Sequence, residues 1–256
     1  TGKTVLHNAA REPEIVDLCN LLAAMGAEIE GIGGSDLTIH GVPRLRGCSV
    51  SVMPDRIEAA SYGSLALATG GDIFIAGAQH EHLITFLNAV RRVGADYAVQ
   101  PDGILVRGAG KLRAIELETD THPGFATDWQ QPFVAALTRA EGTSIVHETV
   151  YEDRFGYTEA LNRMGADIAV SATCLGETPC RFAGRNHRHS AIIKGPTPLH
   201  GADVAIPDIR AGLAFVVAAL MAEGESILSG LEHLDRGYER LEEKLLGVGA
   251  KIRREE

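Results

Sequence analysis

The stretch TDWQQPFVAALTRAEGTSIVHETVYEDR, from Thr127 to Arg154, contains a pattern that recurs along the chain. An acid, Asp128, precedes an apolar helical pattern, and Arg154 follows the β-rich run SIVHETVY. A helix start carries unpaired N–H groups and a positive potential, which stabilise a carboxylate and attract anions. Taken alone, such an acid is more often only a helix cap. The stretch therefore predicts a helix and then a strand, with a charged group beside each.

Two other segments repeat this arrangement. Pro54-Asp55-Arg56 opens one apolar helical pattern, and Pro207-Asp208-Ile209-Arg210 opens another. Three helices are therefore predicted to begin with an acid in register. The copies lie roughly 70 to 85 residues apart, which is longer than a solenoid repeat, so each is expected to be a small folding unit of several elements.

A glycine marker recurs near the ends of the helical patterns. It reads Met-Gly-Ala or Val-Gly-Ala and centres on Gly26, Gly94, Gly165 and Gly249. Glycine is favoured just after a helix because it adopts the left-handed conformation that ends one. Each copy is therefore predicted to end a helix and lead into a strand.

The composition is that of an ordinary soluble protein. The chain has 256 residues, of which 45% are apolar and 23% are charged. A net charge of −10 argues against nucleic acid or an anionic membrane as the main partner, although a local basic pocket for an acidic substrate is compatible with it. The sequence shows neither a secretory signal nor an apolar run of spanning length, so a cytoplasmic protein is expected.

The four cysteines, Cys19, Cys48, Cys174 and Cys180, show no CxxC spacing, so reduced thiols are expected. Cys174 and Cys180 are followed by His187 and His189, which raises the alternative of a zinc site. That spacing matches no standard zinc finger or ribbon, so a loop with solvated histidines is favoured and no metal or other cofactor is assigned.

The first part of the chain is predicted to contain a strand at Thr4–Leu6 and a helix at Glu14–Met25 whose apolar face includes Leu18. Strands are predicted at Ser35–Val42 and Gly47–Val52. From Pro54 onward, the first full unit is predicted as helix, strand, helix and three strands.

The second unit begins at Thr127 and departs from the first within residues 174–201, where SAIIKG is predicted as a strand and the rest as a loop or an extra hairpin. The third unit begins at Pro207. It is predicted to contain an apolar helix, the strand ESILSG, a helix from Gly237 and a last strand, KIRREE, with nothing to complete its sheet.

Several phrases resemble the UDP-N-acetylglucosamine enolpyruvyl transferases of peptidoglycan synthesis. They are NAAREPEIVD, PDRIE, HPGFATDWQ, ETVYEDRF, DIRAGLAF and HLDRGYERLEEKL, in this order over nearly the whole chain. The resemblance implies an α/β fold, an inverse α/β barrel built of repeated βαβαββ units around buried parallel helices. Residues 1–53 resemble the last unit of the domain that carries the family's catalytic-cysteine loop, and residues 54–256 resemble the second domain with an incomplete third unit.

The resemblance implies transfer of an enolpyruvyl group from phosphoenolpyruvate to the 3-hydroxyl of UDP-N-acetylglucosamine, without a cofactor. This reaction needs a base, a proton donor and cations for carboxylate and phosphate. By matching phrase, Asp128 deprotonates the sugar hydroxyl and Asp208 lies near the reacting carbon. Arg154, Arg210 and Arg236 face phosphoenolpyruvate, because guanidinium forks fit carboxylate and phosphate oxygens. The alternatives are a helix cap for Asp208 and surface ion pairs for Arg154 and Arg236.

The same resemblance assigns the backbone of Val150 to the nucleotide sugar, and places Glu12 and Glu14 near the interdomain cleft. Acids in a first helical turn are also expected on structural grounds alone. The family's cysteine loop has no counterpart here, so we expect Thr1 not to be a natural beginning. The partner then implied is the missing N-terminal segment of the same protein, and the chain alone is expected to be inactive.

Two other functions remain open at this point. The related shikimate-pathway enolpyruvyl transferase shares the fold and phosphoenolpyruvate, but HLDRGYERLEEKL and NAAREPEIVD resemble the sugar-nucleotide enzyme instead. The second alternative is a truncated, non-catalytic product. Binding of UDP-N-acetylglucosamine against shikimate 3-phosphate separates the two enzymes.

Overall fold

The first segment forms a three-stranded antiparallel sheet beside one helix. The structure is a computed structural model that describes residues 2–177 and 180–255. The elements of this segment are β1 (Gly2–His7), α1 (Pro13–Ala24), β2 (Glu28–Glu30) and β3 (Asp36–Gly41). The strand order is β1-β3-β2, and Pro13 stands at the start of α1, where its missing N–H costs nothing.

Two predictions for this segment are wrong. Leu18 of α1 is 48% exposed, and the buried residues of this helix are Pro13 and Cys19, so the predicted apolar face is not the buried one. Gly47–Val52 is not a strand, because no neighbouring strand hydrogen-bonds to it. It is an extended connection in which Val52 is 79% exposed.

The first full unit has the predicted helix, strand and helix, followed by four strands instead of the predicted three, because the last predicted strand divides into two short ones. Its elements are α2 (Arg56–Thr69), β4 (Asp72–Ala76), α3 (Ile84–Arg92), β5 (Asp96–Gln100), β6 (Gly103–Arg107), β7 (Leu112–Arg113) and β8 (Glu116–Glu118). The strands β4, β6 and β5 form an antiparallel sheet in that order. The short strands β7 and β8 instead pair in parallel with the next unit.

The second unit repeats the first and then adds a long connection. Its elements are α4 (Gln130–Leu137), β9 (Ala140–His147), α5 (Thr158–Arg163), β10 (Asp167–Ser171), β11 (Ser190–Gly195) and β12 (Asp203–Ala205). The sheet runs β10-β11-β9, with β7 and β8 added to β9. The predicted strand SAIIKG is confirmed as β11, and the described residues between β10 and β11 form no hairpin.

The third unit is the least regular. Its elements are α6 (Ile209–Met221), β13 (Ile227–Ser229), α7 (Glu232–Asp235) and α8 (Leu241–Gly247). The strand β13 pairs in parallel with β12 of the unit before it. The helix predicted from Gly237 begins at Leu241, after the separate short α7. The predicted strand KIRREE is wrong over residues 251–255, where Arg253 and Arg254 form ion pairs with acids and no strand lies alongside.

The three helices α2, α4 and α6 contact one another and form the buried centre of the molecule. Glycines in α2 and α6 let neighbouring elements pack closely against these central helices. A Cβ at Gly63 of α2 would lie 2.7 Å from the Phe86 ring, and one at Gly212 of α6 would lie 2.7 Å from the Leu234 side chain. The Arg56 guanidinium at the start of α2 lies 5.2 Å from the centre of the Trp129 ring, just before α4, so these two helices begin side by side.

The glycine marker follows a helix at all four positions, but the predicted strand after it is wrong for the fourth. Gly26, Gly94, Gly165 and Gly249 have φ values between 91° and 108°, in the region that only glycine adopts without strain. The first three lead into β2, β5 and β10 as predicted, and the fourth leads into the coil at residues 251–255. Among the described helices, none combines the length and apolar character needed to cross a membrane.

Candidate active site

Asp128 lies between two arginines at the starts of the central helices. Its Oδ1 is 2.5 Å from Arg154 Nη2, and its Oδ2 is 3.1 Å from Arg210 Nε. All three side chains are partly buried, with Asp128 29% exposed. Because Arg210 belongs to the first turn of α6 and Asp128 precedes α4, these two helices also begin at the same place. The structure thus brings together three of the residues that the sequence assigned to the site.

Asp128 is not the cap of its helix. It belongs to a short 3₁₀ turn, Thr127–Trp129, and its carboxylate accepts no hydrogen bond from a backbone N–H of α4. Its arginine partner is itself held in place. The amide oxygen of Gln131, with the amide oriented to satisfy both of its ends, lies 2.7 Å from Arg154 Nε, and the Tyr151 ring lies 4.7 Å from the guanidinium carbon. Asp128 is therefore held in place by side chains, and it does not cap the N–H groups at the start of α4.

Arg210 is held as a cation within a largely buried setting. Burial opposes its charge, but Asp128, Tyr238 and Asp55 together outweigh burial and raise the pKa of Arg210 above its ordinary value. The Tyr238 hydroxyl lies 3.4 Å from Ser61 Oγ of α2. Residues from the starts of α2 and α6 and from the segment after α7 therefore surround one guanidinium group.

Glu148 organises the start of α4, and the sequence analysis missed it. Its buried carboxylate accepts hydrogen bonds from side chains and backbone of four neighbouring segments. The donors are Thr119 Oγ1 (2.9 Å), Thr127 Oγ1 (2.9 Å), Gln130 Nε2 (3.4 Å), Val150 N (2.8 Å) and Tyr151 N (3.0 Å). An acid directly after a buried strand, in Val-His-Glu-Thr, is the only sequence signal for this role.

The remaining assigned residues lie around this cluster without joining its ion pairs. Asp208 caps α6, accepting from Arg210 N (2.8 Å) and Ala211 N (3.0 Å) through Oδ1. The N–H of Val150 is used by Glu148. Arg236 is exposed at the end of α7, and within residues 2–177 and 180–255 no ion pair joins it to Asp128.

Glu14 forms a second ionic contact at the start of α2. Its carboxylate accepts from Arg56 Nε (2.7 Å) and Nη2 (3.1 Å), and Arg56 is only 6% exposed. Burial raises the pKa of Glu14, but the hydrogen bonds and positive charge of Arg56, with a backbone hydrogen bond and the nearby His82, together outweigh burial and leave the pKa below the ordinary value. Glu12 Oε1 lies 3.4 Å from the backbone N of His122. Both acids thus connect the first segment to the helix starts.

A separate cluster of donors lies at the end of β9. His147, Cys174, Cys180 and His189 place one ligand atom each within 4.8 Å of one another. The prediction that His187 and His189 are solvated is wrong for His189, which is fully buried against the end of the sheet. His187 instead pairs with Asp153, with Nδ1 2.9 Å from Oδ2.

The chain matches known proteins over almost its full length. A sequence model of the family described as EPSP synthase (3-phosphoshikimate 1-carboxyvinyltransferase) matches residues 1–245. The UDP-N-acetylglucosamine 1-carboxyvinyltransferase of Protochlamydia amoebophila is 51% identical over 98% of this chain and 54% of its own length. The protein of the same name from Novosphingobium aromaticivorans is 49% identical over 99% of this chain and 56% of its own length. The chain thus spans about half the length of the curated relatives it matches.

The solved structures agree with this relationship. The enolpyruvyl transferase NikO from Streptomyces tendae superposes with a TM-score of 0.82 at 28% identity, over 98% of this chain and 56% of the other. EPSP synthase from Acinetobacter baumannii superposes with a TM-score of 0.73 at 20% identity, over 100% of this chain and 58% of the other, which shows the shared fold. From its sequence match and its fold, the chain belongs to the EPSP synthase family of enolpyruvyl transferases, in which the curated relatives named above are UDP-N-acetylglucosamine 1-carboxyvinyltransferases.

Proposed function

We propose that this chain supplies one side of an active site that transfers the enolpyruvyl group of phosphoenolpyruvate to the 3-hydroxyl of UDP-N-acetylglucosamine. The observation that carries the proposal is the Asp128 carboxylate held between Arg154 and Arg210 where the central helices begin. The names of the curated relatives, at 46 to 51% identity, support this sugar nucleotide as the acceptor. Transfer to this acceptor belongs to peptidoglycan synthesis.

The chemistry needs a proton acceptor at the sugar and a proton donor at the vinyl carbon. In the proposal, the oxygen of the sugar 3-hydroxyl attacks C2 of phosphoenolpyruvate, and Asp128 takes the proton of that hydroxyl. At the same time, C3 of phosphoenolpyruvate gains a proton. The resulting tetrahedral adduct then loses phosphate and a C3 proton, which restores the double bond. A carboxylate already fixed by two guanidinium groups needs little reorganisation to accept that proton.

The arginines suit the other substrate. Phosphoenolpyruvate brings a carboxylate and a phosphate, and guanidinium groups donate to both with paired hydrogen bonds. We assign Arg154 and Arg210 to these anions, and Arg236, exposed near the start of α6, to the same side once substrate is bound. Asp208 is assigned a place near the reacting carbon through the carboxylate oxygen that does not cap α6.

The sugar nucleotide is assigned to the neighbouring backbone. Because Glu148 uses the Val150 N–H, the carbonyl oxygen of Val150 is the group we assign to the nucleotide sugar. Glu12 and Glu14 are assigned to the cleft beside the helix starts, where they contact His122 and Arg56. We propose that residues 1–53 belong to one domain of the longer protein and that residues 54–256 belong to another.

This chain spans about half the length of its relatives. We assign the proton donor for C3 to a part of the protein outside this chain. We also place the reaction in the cytoplasm, where the four free cysteines are compatible with a reducing environment. The partner of this chain is then the remaining, N-terminal segment of the same protein, which completes the site.

The test measures phosphate release from phosphoenolpyruvate by the full-length protein, which has the length of the curated relatives. We expect release that depends on UDP-N-acetylglucosamine and no release with shikimate 3-phosphate. The matched arm is this 256-residue chain alone, for which we expect no release. A preference for shikimate 3-phosphate in the full-length protein contradicts the proposed acceptor, and rapid release by the chain alone contradicts the assignment of the proton donor.

A further inference from the structure

Four side chains that the proposed transfer does not use meet at the end of β9. The His147 side chain comes from the last residue of β9, His189 immediately precedes β11, and Cys174 and Cys180 come from the connection between β10 and β11. Both imidazoles are fully buried and both thiols are partly buried. The sequence alternative had grouped the two cysteines with His187 and His189. The structure replaces His187 with His147, from a different part of the chain.

The hydrogen bonds leave the same ring nitrogen of each histidine available. His189 Nδ1 lies 2.6 Å from the His187 carbonyl oxygen, which can only accept, so this nitrogen carries the proton and Nε2 carries a lone pair. His147 Nδ1 lies 2.8 Å from Ser190 Oγ, and that hydroxyl donates its proton to the Thr173 carbonyl at 2.7 Å. The hydroxyl therefore accepts from His147 Nδ1–H, and Nε2 of His147 again carries a lone pair.

Among the described residues, the freed nitrogen of His147 is buried without a hydrogen-bond partner. A buried polar atom left unpaired costs about 1–3 kcal/mol, so such atoms are rare unless a water or an ion satisfies them. Hydrogen bonding of Nδ1 to a carbonyl or hydroxyl, with Nε2 directed at the ion, is the usual arrangement of a metal-binding histidine. The lone pair of His147 therefore points to a missing ligand in this cluster.

The spacing of the donors fits a tetrahedral ion. Zinc bonds of about 2.3 Å to sulfur and 2.0–2.1 Å to nitrogen place neighbouring ligand atoms about 3.3–3.8 Å apart. Cys174 Sγ lies 3.3 Å from Cys180 Sγ and 3.2 Å from His189 Nε2, and all four ligand atoms lie within 4.8 Å of one another. Two sulfurs and two imidazole nitrogens in this geometry are the ligand set that zinc prefers over magnesium or calcium.

We propose that His147, Cys174, Cys180 and His189 bind one zinc ion. Four protein ligands leave no open position for a substrate, so the ion is structural. The ion joins the connection between β10 and β11 to the end of β9. Where these two parts of the chain meet, position 176 of the connection has to be glycine. A Cβ there would lie 2.5 Å from both His147 Cδ2 and Glu118 Oε1.

This ion has a definite place relative to the candidate active site. Glu148, which follows His147 directly, holds the start of α4. The connection is also attached to Asp153, the neighbour of Arg154, through His187 Nδ1 at 2.9 Å and Arg188 N at 2.8 Å. The zinc ion therefore fixes a loop that contacts the segment carrying Arg154. The zinc proposal does not depend on the proposed transfer.

Metal analysis of the protein, purified under reducing conditions and without added chelator, tests the proposal. We expect about one zinc per chain, falling at least about tenfold in Cys174→Ser and in His189→Ala. Cys48→Ser and His187→Ala are the matched controls. The first removes an exposed thiol, the second removes the histidine that the cluster excludes, and both should keep the ion. Zinc retained in His189→Ala but lost in His187→Ala contradicts the assigned ligands.

Cobalt substitution tests the same site in the wild-type protein, so its result does not depend on whether a variant folds. Cobalt added to the metal-free wild-type protein should give the strong visible bands of a tetrahedral site and a thiolate charge-transfer band. An octahedral cobalt spectrum without the charge-transfer band overturns the proposal. Reduced protein that contains no zinc and shows four reactive thiols also overturns it, as does a Cys174–Cys180 disulfide that persists under reducing conditions.

Discussion

The starts of α4 and α6 share a sequence pattern and use their acids differently. At α6, Asp208 itself accepts from the backbone N–H groups of Arg210 and Ala211. At α4, Glu148 of the following strand–loop junction binds Thr127 and Gln130, and Asp128 is left to pair with Arg154 and Arg210. The same sequence pattern therefore places Asp208 as a helix cap and Asp128 in ion pairs, while Glu148 binds side chains at the start of α4. Asp128 is the acid that the proposed transfer uses as its proton acceptor.

Replacement of Glu148 is expected to have the largest effect on stability. Replacing Glu148 with alanine removes the acceptor of five hydrogen bonds from a buried setting, two of them from the start of α4. We expect the free energy of unfolding to fall by about 3 kcal/mol, measured by urea unfolding. The matched control is Glu152→Ala on the same segment, an exposed acid 3.9 Å from Arg181, for which we expect a change within about 0.5 kcal/mol. Equal losses in the two variants contradict the role of Glu148.

Asp128 should show the opposite division between stability and activity. In the full-length protein, Asp128→Asn removes the proposed proton acceptor while keeping the side-chain shape. We expect the turnover number to fall about 100-fold or more, equivalent to about 2.7 kcal/mol in the barrier, with unfolding little changed. Arg236→Ala should give a loss of similar size if Arg236 joins the substrate as proposed. The control, Asp167→Asn, changes an exposed carboxylate of β10 that is paired with Lys194, and it should retain turnover. Unchanged turnover in both Asp128→Asn and Arg236→Ala removes these residues from the site.

The central elements of this fold could be predicted because their signals are local. The acids Asp55 and Asp208 mark helix starts, and Gly26, Gly94 and Gly165 mark helix ends that lead into strands. These choices depend on capping and on backbone conformation within a few residues. The buried helices and most strands followed from them.

The missed features depend on distant parts of the chain. Gly47–Val52 has a strand-like composition but no partner strand, and Leu18 lies on an apolar face that this structure leaves exposed. Glu148 acquires its role from donors on four segments, and His147 meets Cys174 only through the pairing of β9 with β11. Neither contact produces a periodic or spaced motif, so pattern reasoning could not find them.

The two capping acids should each contribute a smaller effect, on stability. Asp208→Ala and Asp55→Ala each remove an acceptor for two backbone N–H groups, so we expect the free energy of unfolding to fall by about 1 kcal/mol in each. Asp208→Asn keeps the cap and should change stability by only a few tenths of a kcal/mol. Turnover of Asp208→Asn in the full-length protein then separates a role in capping from a role in catalysis. Wild-type turnover would limit Asp208 to capping, and a loss supports its place near the reacting carbon.

The start of α2 provides the smallest effect and extends the comparison to pH. Burial raises the pKa of Glu14, but Arg56, a backbone hydrogen bond and His82 together lower it by more, so its folded value lies below the ordinary value of 4.5. A carboxyl whose pKa is lowered by folding contributes stability above its unfolded pKa and loses it as the pH falls through the folded pKa. Because Glu14 is about half exposed, solvent screening limits this contribution to less than about 1 kcal/mol. Urea unfolding at pH 7 and at successive pH values below 4.5 should therefore show a shallower acid loss of stability in Glu14→Gln than in the wild-type chain. Glu28→Gln, which removes an exposed carboxyl on β2, is the control. If Glu14→Gln and the wild-type chain lose stability in parallel over this range, the contact with Arg56 does not stabilise the start of α2.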